Sequence, residues 1–282
     1  MKLTYQDLLE KMINMEMLAI SPEKGEMGGN FSSYDRNSSY DPSTDTYSQW
    51  GANRDCDGCI RMEKDRLVAF EMEGPGVIWR IWSANPQEGH IRIYTENEQK
   101  EKMDMPFRKL FERYAYDESR VEWPANFPEL MPILSRGRNR FIPIPFNHYC
   151  KVTLDPGWGE FYHITYTKFP SCVELPEYSL DMEIEVQTAL AVLDRKFYLR
   201  GKEAYEANQL ENTLVKNLTL NCEAGEQKIL YQSDKPLAIS GIWLLADGNV
   251  PGKIWRSFEW RYTGMVKRKR VCRAVWPPFL EL

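Results

Sequence analysis

The sequence of 282 residues lacks any apolar run of about 18 or more residues, which excludes an ordinary membrane-spanning helix. Residues 1–7 are not followed by an apolar signal core, so we expect a soluble chain without a cleaved leader. This pattern predicts a cytoplasmic location as written, or a periplasmic or extracellular one if a leader lies upstream of Met1.

An excess of positive charge is also missing. The chain has 36 Lys and Arg against 41 Asp and Glu, a net charge of −5, which argues against nucleic acid or an anionic membrane as partner. A single basic run at Lys267–Arg270 is weak support for either.

Metal ligands and paired cysteines are sparse. The three histidines lie far apart in sequence and are interpreted as strand-face residues, and most of the six cysteines are scattered, as in a reduced protein. Cys56 and Cys59 have CxxC spacing, but no second CxxC or His pair completes a zinc site, so we interpret them as packing residues. No metal and no cofactor is expected.

Short strand signals fill the first half of the chain, between Gly and Pro residues. They fall at Leu67–Met72, Val77–Trp82, His90–Tyr94, Lys151–Leu154 and Phe161–Phe169. Several short strands with little helix predict an all-β fold, a jelly-roll β-sandwich.

Two helices accompany the strands. Thr4 and Asp7 can form a capping box ahead of an apolar stripe, which predicts an N-terminal helix within residues 1–20 that docks on the first domain. A looser helical pattern at Met182–Tyr198 predicts a connecting helix within 176–210. The first jelly-roll domain is then 21–175.

Strand signals return after the connecting helix and predict a partial second jelly-roll domain over 211–282. They lie at Leu214–Leu220, Lys228–Tyr231 and Leu237–Leu245. A repeated spacing favours two related domains: Pro75, Ile78, Ile81 and Trp82 are matched by Pro236, Ile239, Ile242 and Trp243. The second segment is too short to close the same sandwich, and we expect it to be incomplete.

Residues 21–50 form a polar stretch without periodicity, which predicts a long surface loop, and loops of this length are commonly functional. A carbohydrate-binding wall could be formed here by aromatic, basic and acidic side chains: Tyr34, Tyr40, Tyr47, Trp50, Arg36, Asp35, Asp41, Asp45 and, just beyond the stretch, Asp55 and Asp57. The alternative is a solvated loop without a ligand. Glycoside hydrolysis needs two carboxyl groups at a set separation, and composition alone does not show which two acidic residues would lie at that separation.

Five motifs, taken in order, resemble one bacterial family over roughly residues 5–260. They are Ser32–Arg36 (SSYDR), Asn53 with Asp55, Glu73–Trp82 (EGPGVIWRIW), Ile142–Phe146 (IPIPF) with Cys150-Lys151, and Tyr162–Tyr166 (YHITY). The family is glycoside hydrolase family 172, whose characterised members are difructose-anhydride and arabinofuranoside hydrolases. The resemblance implies jelly-roll domains, a trimer-based homo-oligomer and a retaining mechanism on furanosides through two glutamates.

The two glutamates cannot be carried over to this chain. In the family they lie in a G-E-G-D run and a G-T-G-x-E-D-Y run, and neither run occurs in the 282 residues. We therefore assign no catalytic residue.

The resemblance does carry over a substrate-binding wall in the first domain, made of Tyr34, Asp35, Arg36, Asn53 and Asp55. A structural alternative is that Asp35 and Arg36 pair to hold the loop. The chain departs from the family pattern at Arg54, where Asn is usual, and at Cys56-Asp57, where Gly is usual.

The C-terminal segment also departs from the family. From about residue 261 a basic tail replaces the expected W-D-G-E turn, and we interpret the change as a frameshift near Arg261, with a genuine basic tail as the alternative. The sequence thus predicts a truncated relative of a furanosidase with a glycan partner. Alternatives are a non-catalytic carbohydrate-binding or assembly module, and an altered hydrolase that uses Asp35 and Asp55.

Overall fold

A computed structural model describes residues 1–14, 21–49, 56, 58–97, 99–112, 127–180, 182–199, 214–219, 221 and 226–233, and the backbone of 259–263 and 270–275. The chain divides into two compact units, Met1–Ser240 and Gly241–Leu282. Within the described residues, no helix is both long and apolar enough to cross a membrane.

The first unit contains two main antiparallel sheets. The first sheet has six strands: β1 (Met27–Ser32), β6 (Gly76–Pro86), β9 (Ile133–Leu134), β10 (Gly137–Arg140), β11 (Ile144–Phe146) and β13 (Gly159–Lys168). The second has five: β4 (Arg61–Glu63), β5 (Arg66–Glu73), β7 (His90–Thr95), β8 (Met103–Pro106) and β12 (Tyr149–Leu154). A small hairpin is formed by β2 (Ser39–Asp41) and β3 (Thr46–Ser48).

The two sheets share one apolar core. Alternate residues of β6 and β13, such as Ile81 and Ile164, point into it with Phe70 and Val152 of the second sheet. A 3-10 helix, Phe107–Phe111, adds further rings to the same cluster. The expected all-β sandwich is confirmed, and each of the five strands predicted in residues 67–169 is present.

Strand β1 was not expected. It lies inside the stretch interpreted as a surface loop and pairs with β13 in full register, from Met27 opposite Lys168 to Ser32 opposite His163. Gly28, Gly29 and Asn30 have low strand propensity, which hides the strand in the sequence. The stretch predicted as one surface loop is therefore interrupted by β1, and the chain leaves the sheet again only after Ser33.

Helix α1 (Tyr5–Ile13) begins at the predicted capping box: the Asp7 amide donates to Thr4 Oγ1 at 3.2 Å, and the Thr4 amide donates to Asp7 Oδ2 at 2.7 Å. Leu8 packs on Val77 of β6, as expected for a helix docked on the first domain. Helix α2 (Ile184–Leu199) agrees closely with the predicted connecting helix, and it packs against α1.

Two of the strands predicted after α2 are not found in the structure. Residues 214–219 and 226–233 form no strand, so the predictions for Leu214–Leu220 and Lys228–Tyr231 are wrong over those residues. Their side chains are mostly exposed, as Ile229 is at 81%, so their apolar residues lack the buried face that a sheet needs. The strand predicted at Leu237–Leu245 lies outside the described residues.

The second unit contains an antiparallel hairpin of β14 (Glu259–Thr263) and β15 (Arg270–Val275), with Glu259 opposite Val275. The incomplete second jelly roll and the aberrant basic tail stay predictions.

Candidate functional site

The candidate site is a turn, residues 33–37, that follows β1 at the edge of the six-stranded sheet. Ser33 is buried, and it continues the β1–β13 pairing: its amide donates to Tyr162 O at 3.1 Å, and Ser33 Oγ accepts from the Tyr162 amide at 3.3 Å. After Ser33 the chain leaves the sheet. The position of the turn is therefore fixed by the two strands.

Three predicted site residues, Tyr34, Asp35 and Arg36, lie in this turn. The buried Asp35 carboxylate accepts from the Asn37 amide at 2.7 Å, the bond of an Asx turn. The Arg36 guanidinium donates to Ser32 O at 3.0 Å and to Tyr34 O at 3.2 Å. Both charged side chains thus hold the main chain of the turn itself.

Tyr34 is the exposed member of the turn, with 53% of its surface accessible. The Arg36 Cζ atom lies 4.4 Å from the centre of the Tyr34 ring, within the range of a cation–π interaction. The guanidinium therefore restrains the ring from one side. An aromatic face held in this way can stack on an apolar face of a ligand without first being ordered.

Gly58 packs directly against the backbone of the turn. Its amide donates to Ser33 O at 3.0 Å, and a Cβ atom on it would lie 1.9 Å from Tyr34 O. Its own carbonyl accepts from the Tyr162 hydroxyl at 3.0 Å. Burial, the largest cause, raises the pKa of Tyr162 to about 12, so the phenol stays protonated and keeps donating.

Sequence reasoning missed both Gly58 and Tyr162 as parts of this site. Gly58 is the glycine of the CxxC segment, the one place in that segment where a missing side chain could have signalled close backbone approach. Nearby, the Phe161 amide donates to Cys56 O at 3.1 Å, and Phe161 has a φ of +58°, which is unusual for an aromatic residue.

Asn53 and Asp55, the other two predicted site residues, lie outside the described residues, and so does Arg54. Cys59 packs against the sandwich core, in agreement with the packing interpretation. Among the described residues, no group of three or more His, Cys, Asp or Glu side chains is arranged to hold a metal ion.

The acidic residues of the neighbouring hairpin are used within the hairpin. The Asp45 carboxylate accepts from the Tyr40 hydroxyl at 2.8 Å, and the Asp41 carboxylate accepts from the Ser43 amide at 2.9 Å. Tyr40 and Tyr47 pair with ring centres 5.0 Å apart, yet both remain about half exposed. The hairpin thus presents aromatic surface, while its carboxylates stabilise the turn.

The histidines are distributed over the sandwich. His90 on β7 contacts Asp104 through Nδ1 at 2.5 Å, and His163 on β13 lies edge-on to Trp82, so both are strand-face residues as expected. His148 lies in the turn before β12, where its amide donates to Glu96 Oε2 at 3.0 Å, so the prediction of a strand-face residue is wrong for His148.

No curated protein matches the chain significantly. A match to a protein family does agree with the observed architecture. The sequence model of the GH172 first beta-sandwich domain matches residues 24–185, which include both main sheets and the turn of residues 33–37. This match covers more than half of the sequence, and the chain therefore belongs to glycoside hydrolase family 172.

Proposed function

We propose that the sandwich of this carbohydrate-active family member binds furanoside glycans at the turn of residues 33–37, and that the 282-residue chain does not hydrolyse them. The observation that carries the proposal is the Tyr34 ring, exposed on one side and restrained by Arg36 on the other. Fructofuranosides and arabinofuranosides are the substrate class that the family resemblance implies.

The chemistry of the turn supports a sugar ligand. A restrained aromatic ring can stack on the C–H face of a sugar, and the hydrogen-bonding groups around it can contact hydroxyls. Asp35 and Arg36 support the ring by fixing the backbone on either side of it. Binding then requires little further ordering of the protein.

Two features argue against hydrolysis by this chain. A retaining glycosidase needs two carboxyl groups about 5 Å apart, one as nucleophile and one as acid and base. Neither glutamate run of the family occurs in the sequence. Within the described part of the site, the carboxylate that the turn supplies is Asp35, which is buried and accepts from a backbone amide.

The binding proposal is tested by titrating the full chain with methyl arabinofuranoside and methyl fructofuranoside, followed by NMR. Tyr34→Ala should weaken binding at least tenfold. The matched control is Tyr198→Ala, since Tyr198 is also half exposed and lies 5.2 Å from a guanidinium, that of Arg195, but on α2. Equal affinity in Tyr34→Ala and the unaltered chain would refute the proposed site.

Turnover of aryl furanosides distinguishes the alternatives. The proposal expects none above background. Turnover that Asp35→Asn abolishes would instead favour the altered hydrolase, in which Asp35 and Asp55 act on the sugar. Absence of both binding and turnover, with a defined trimer in sedimentation, would favour an assembly module.

A further inference from the structure

A second cluster lies on the outer face of the six-stranded sheet, around Arg80 of β6. Ile81 and Ile164 point into the core, so their neighbours Trp82 and His163, which face each other across β6 and β13, lie on the outer face. Arg80 lies two residues before Trp82 and therefore shares that face. The cluster of Arg80, Trp82 and His163 is called the outer-face cluster below.

The Arg80 guanidinium is held in place by neutral groups. Its Nε donates to Asn139 Oδ1 at 2.8 Å, and the buried Asn139 amide group in turn donates to Pro132 O and Gly137 O. The Trp82 and Phe141 ring centres are each 5.9 Å from Arg80 Cζ. The planar donor group is therefore positioned before any ligand arrives.

Arg80 is one of the arginines of the sandwich that form no ion pair with a described residue, unlike four others on its strands and loops. Arg61, Arg66, Arg92 and Arg108 each form an ion pair with Asp or Glu, whereas Arg80 forms none with any residue in the described ranges. Its guanidinium is half-buried, and burial lowers the pKa of Arg80. A charge that is partly removed from water without a counter-ion favours an anionic ligand.

Trp82 gives the cluster an aromatic surface. The indole lies against the backbone of Gly137, where a Cβ atom would be 2.1 Å from Trp82 Nε1. His163 is exposed and meets the indole edge-on, with ring centres 4.9 Å apart. The Trp82 ring is thus restrained by the Gly137 backbone and by the His163 imidazole. In the same way, the Tyr34 ring is restrained by the Arg36 guanidinium.

The outer-face cluster adjoins the candidate glycan site. Ser32, His163 and Trp82 are consecutive cross-strand partners on β1, β13 and β6. Neighbouring strands are about 4.8 Å apart, so the Cα atoms of Trp82 and Ser32 are about 10 Å apart. The turn of residues 33–37 starts directly after Ser32. A short oligosaccharide can span this distance.

We propose that the outer-face cluster binds a carboxylate-bearing sugar residue, a uronate, of the glycan held at the turn of residues 33–37. The guanidinium of Arg80 would pair with the carboxylate, Trp82 would stack on the sugar ring, and His163 would hydrogen-bond a hydroxyl. The inference rests on the proposed function, since it places an acidic residue in the same glycan.

The test titrates the full chain with sodium glucuronate and, separately, with glucose, and follows the tryptophan indole N–H signals by NMR. We expect glucuronate to bind at least tenfold more tightly than glucose, and Arg80→Gln to remove this preference. Arg80→Lys should also lose most of it, because an ammonium lacks the two parallel donors. Arg195→Gln on α2 is the matched control, an exposed arginine beside a tyrosine ring, and should change nothing.

Thr165→Glu provides a second variant that keeps Arg80. Thr165 is the direct cross-strand partner of Arg80, so the introduced carboxylate should occupy the guanidinium and abolish glucuronate binding. Equal binding of glucuronate and glucose by the unaltered chain, or an unchanged preference in both Arg80→Gln and Thr165→Glu, would overturn the proposal. A changed sedimentation mass in Arg80→Gln, with glucuronate binding unchanged, would also overturn it. That result would show that Arg80 pairs with a carboxylate of another protein chain and not with that of a sugar.

Tyr34→Ala separates this proposal from the function on which it rests. If Tyr34→Ala leaves methyl furanoside binding intact while Arg80→Gln removes glucuronate binding, the proposed furanoside site fails and the outer-face cluster stands as an acidic-sugar site. If furanoside binding depends on Tyr34 and the unaltered chain shows no glucuronate preference, the outer-face proposal alone fails.

Discussion

A single missing methyl group at Gly58 allows the turn of residues 33–37 to keep its shape. A Cβ atom there would lie 1.9 Å from Tyr34 O and 2.8 Å from Ser33 O, both of them backbone atoms. Gly58→Ala should therefore displace the turn and destabilise the sandwich by about 1–3 kcal/mol. Thermal unfolding and furanoside titration together measure the two effects.

Gly28→Ala is the matched control for this prediction. Gly28 lies on β1, and a Cβ atom on it would meet nothing closer than Tyr166 O at 3.9 Å. We expect its furanoside affinity to equal that of the unaltered chain. Undiminished affinity in Gly58→Ala would show that the position of Tyr34 does not depend on close packing at Gly58.

At the residue scale, local sequence predicts some of the site and cannot predict the rest. Tyr34, Asp35 and Arg36 are adjacent in the chain, and the structure brings them together in one turn. Gly58 and Tyr162 contact that turn through hydrogen bonds between residues that are far apart in the sequence. No short motif encodes such contacts, because they depend on the register of β1 against β13.

At the scale of a sheet, the outer face of the five-stranded sheet is crossed by a network of charges. Glu71 of β5 accepts from the Arg61 guanidinium of β4 and from the Tyr149 hydroxyl of β12, the latter at 2.6 Å. Both hydrogen bonds lower the pKa of Glu71, which falls to about 2, and the bond from Arg61 has the larger effect. The network therefore ties three neighbouring strands together.

This network predicts a pH-dependent stability. The folded pKa of Glu71 is depressed from 4.5 to about 2, so its contribution is complete above pH 4.5 and is lost as the pH falls toward 2. At pH 7, Glu71→Gln should cost about 1 kcal/mol, a modest value because Arg61 is 41% exposed and water screens the pair. Urea unfolding at pH 7 and pH 2 measures the difference, most of which should be lost at the lower pH.

Glu88→Gln serves as the control for the charge network. Its carboxylate pairs with Arg108 but is 67% exposed, and we expect a change too small to measure. If Glu71→Gln were as destabilising at pH 2 as at pH 7, its effect would come from packing of the side chain and not from its charge.

At this same scale, the predictability of an element follows from how it is stabilised. Strands β5, β6, β7, β12 and β13 contain β-branched and aromatic residues that pack on a sheet, and the sequence alone predicts them. Strand β1 contains Met-Gly-Gly-Asn, and its strand form depends on backbone pairing to β13. Residues 214–219 show the converse, since apolar Leu214 and Val215 are exposed and unpaired in sheets.

At the scale of the first unit, two apolar clusters join the helices to the sandwich. Leu8 of α1 packs with Val77 of the six-stranded sheet, and Leu9 of α1 packs with Leu190 and Leu193 of α2. Helix α1 therefore contributes to both clusters through adjacent residues. This arrangement couples the folding of the helices to that of the sheets.

The coupling predicts a single unfolding transition for the first unit. Leu190 is fully buried, so Leu190→Ala should cost about 2–5 kcal/mol, and the loss should shift the sandwich as well as the helices. Circular dichroism at a helix-sensitive wavelength and tryptophan fluorescence should give coincident midpoints, both lowered in the variant. Val192→Ala on the same helix, where the side chain is 52% exposed, should leave both midpoints in place. A helix signal that disappears before the fluorescence changes would show that α1 and α2 unfold independently of the sheets.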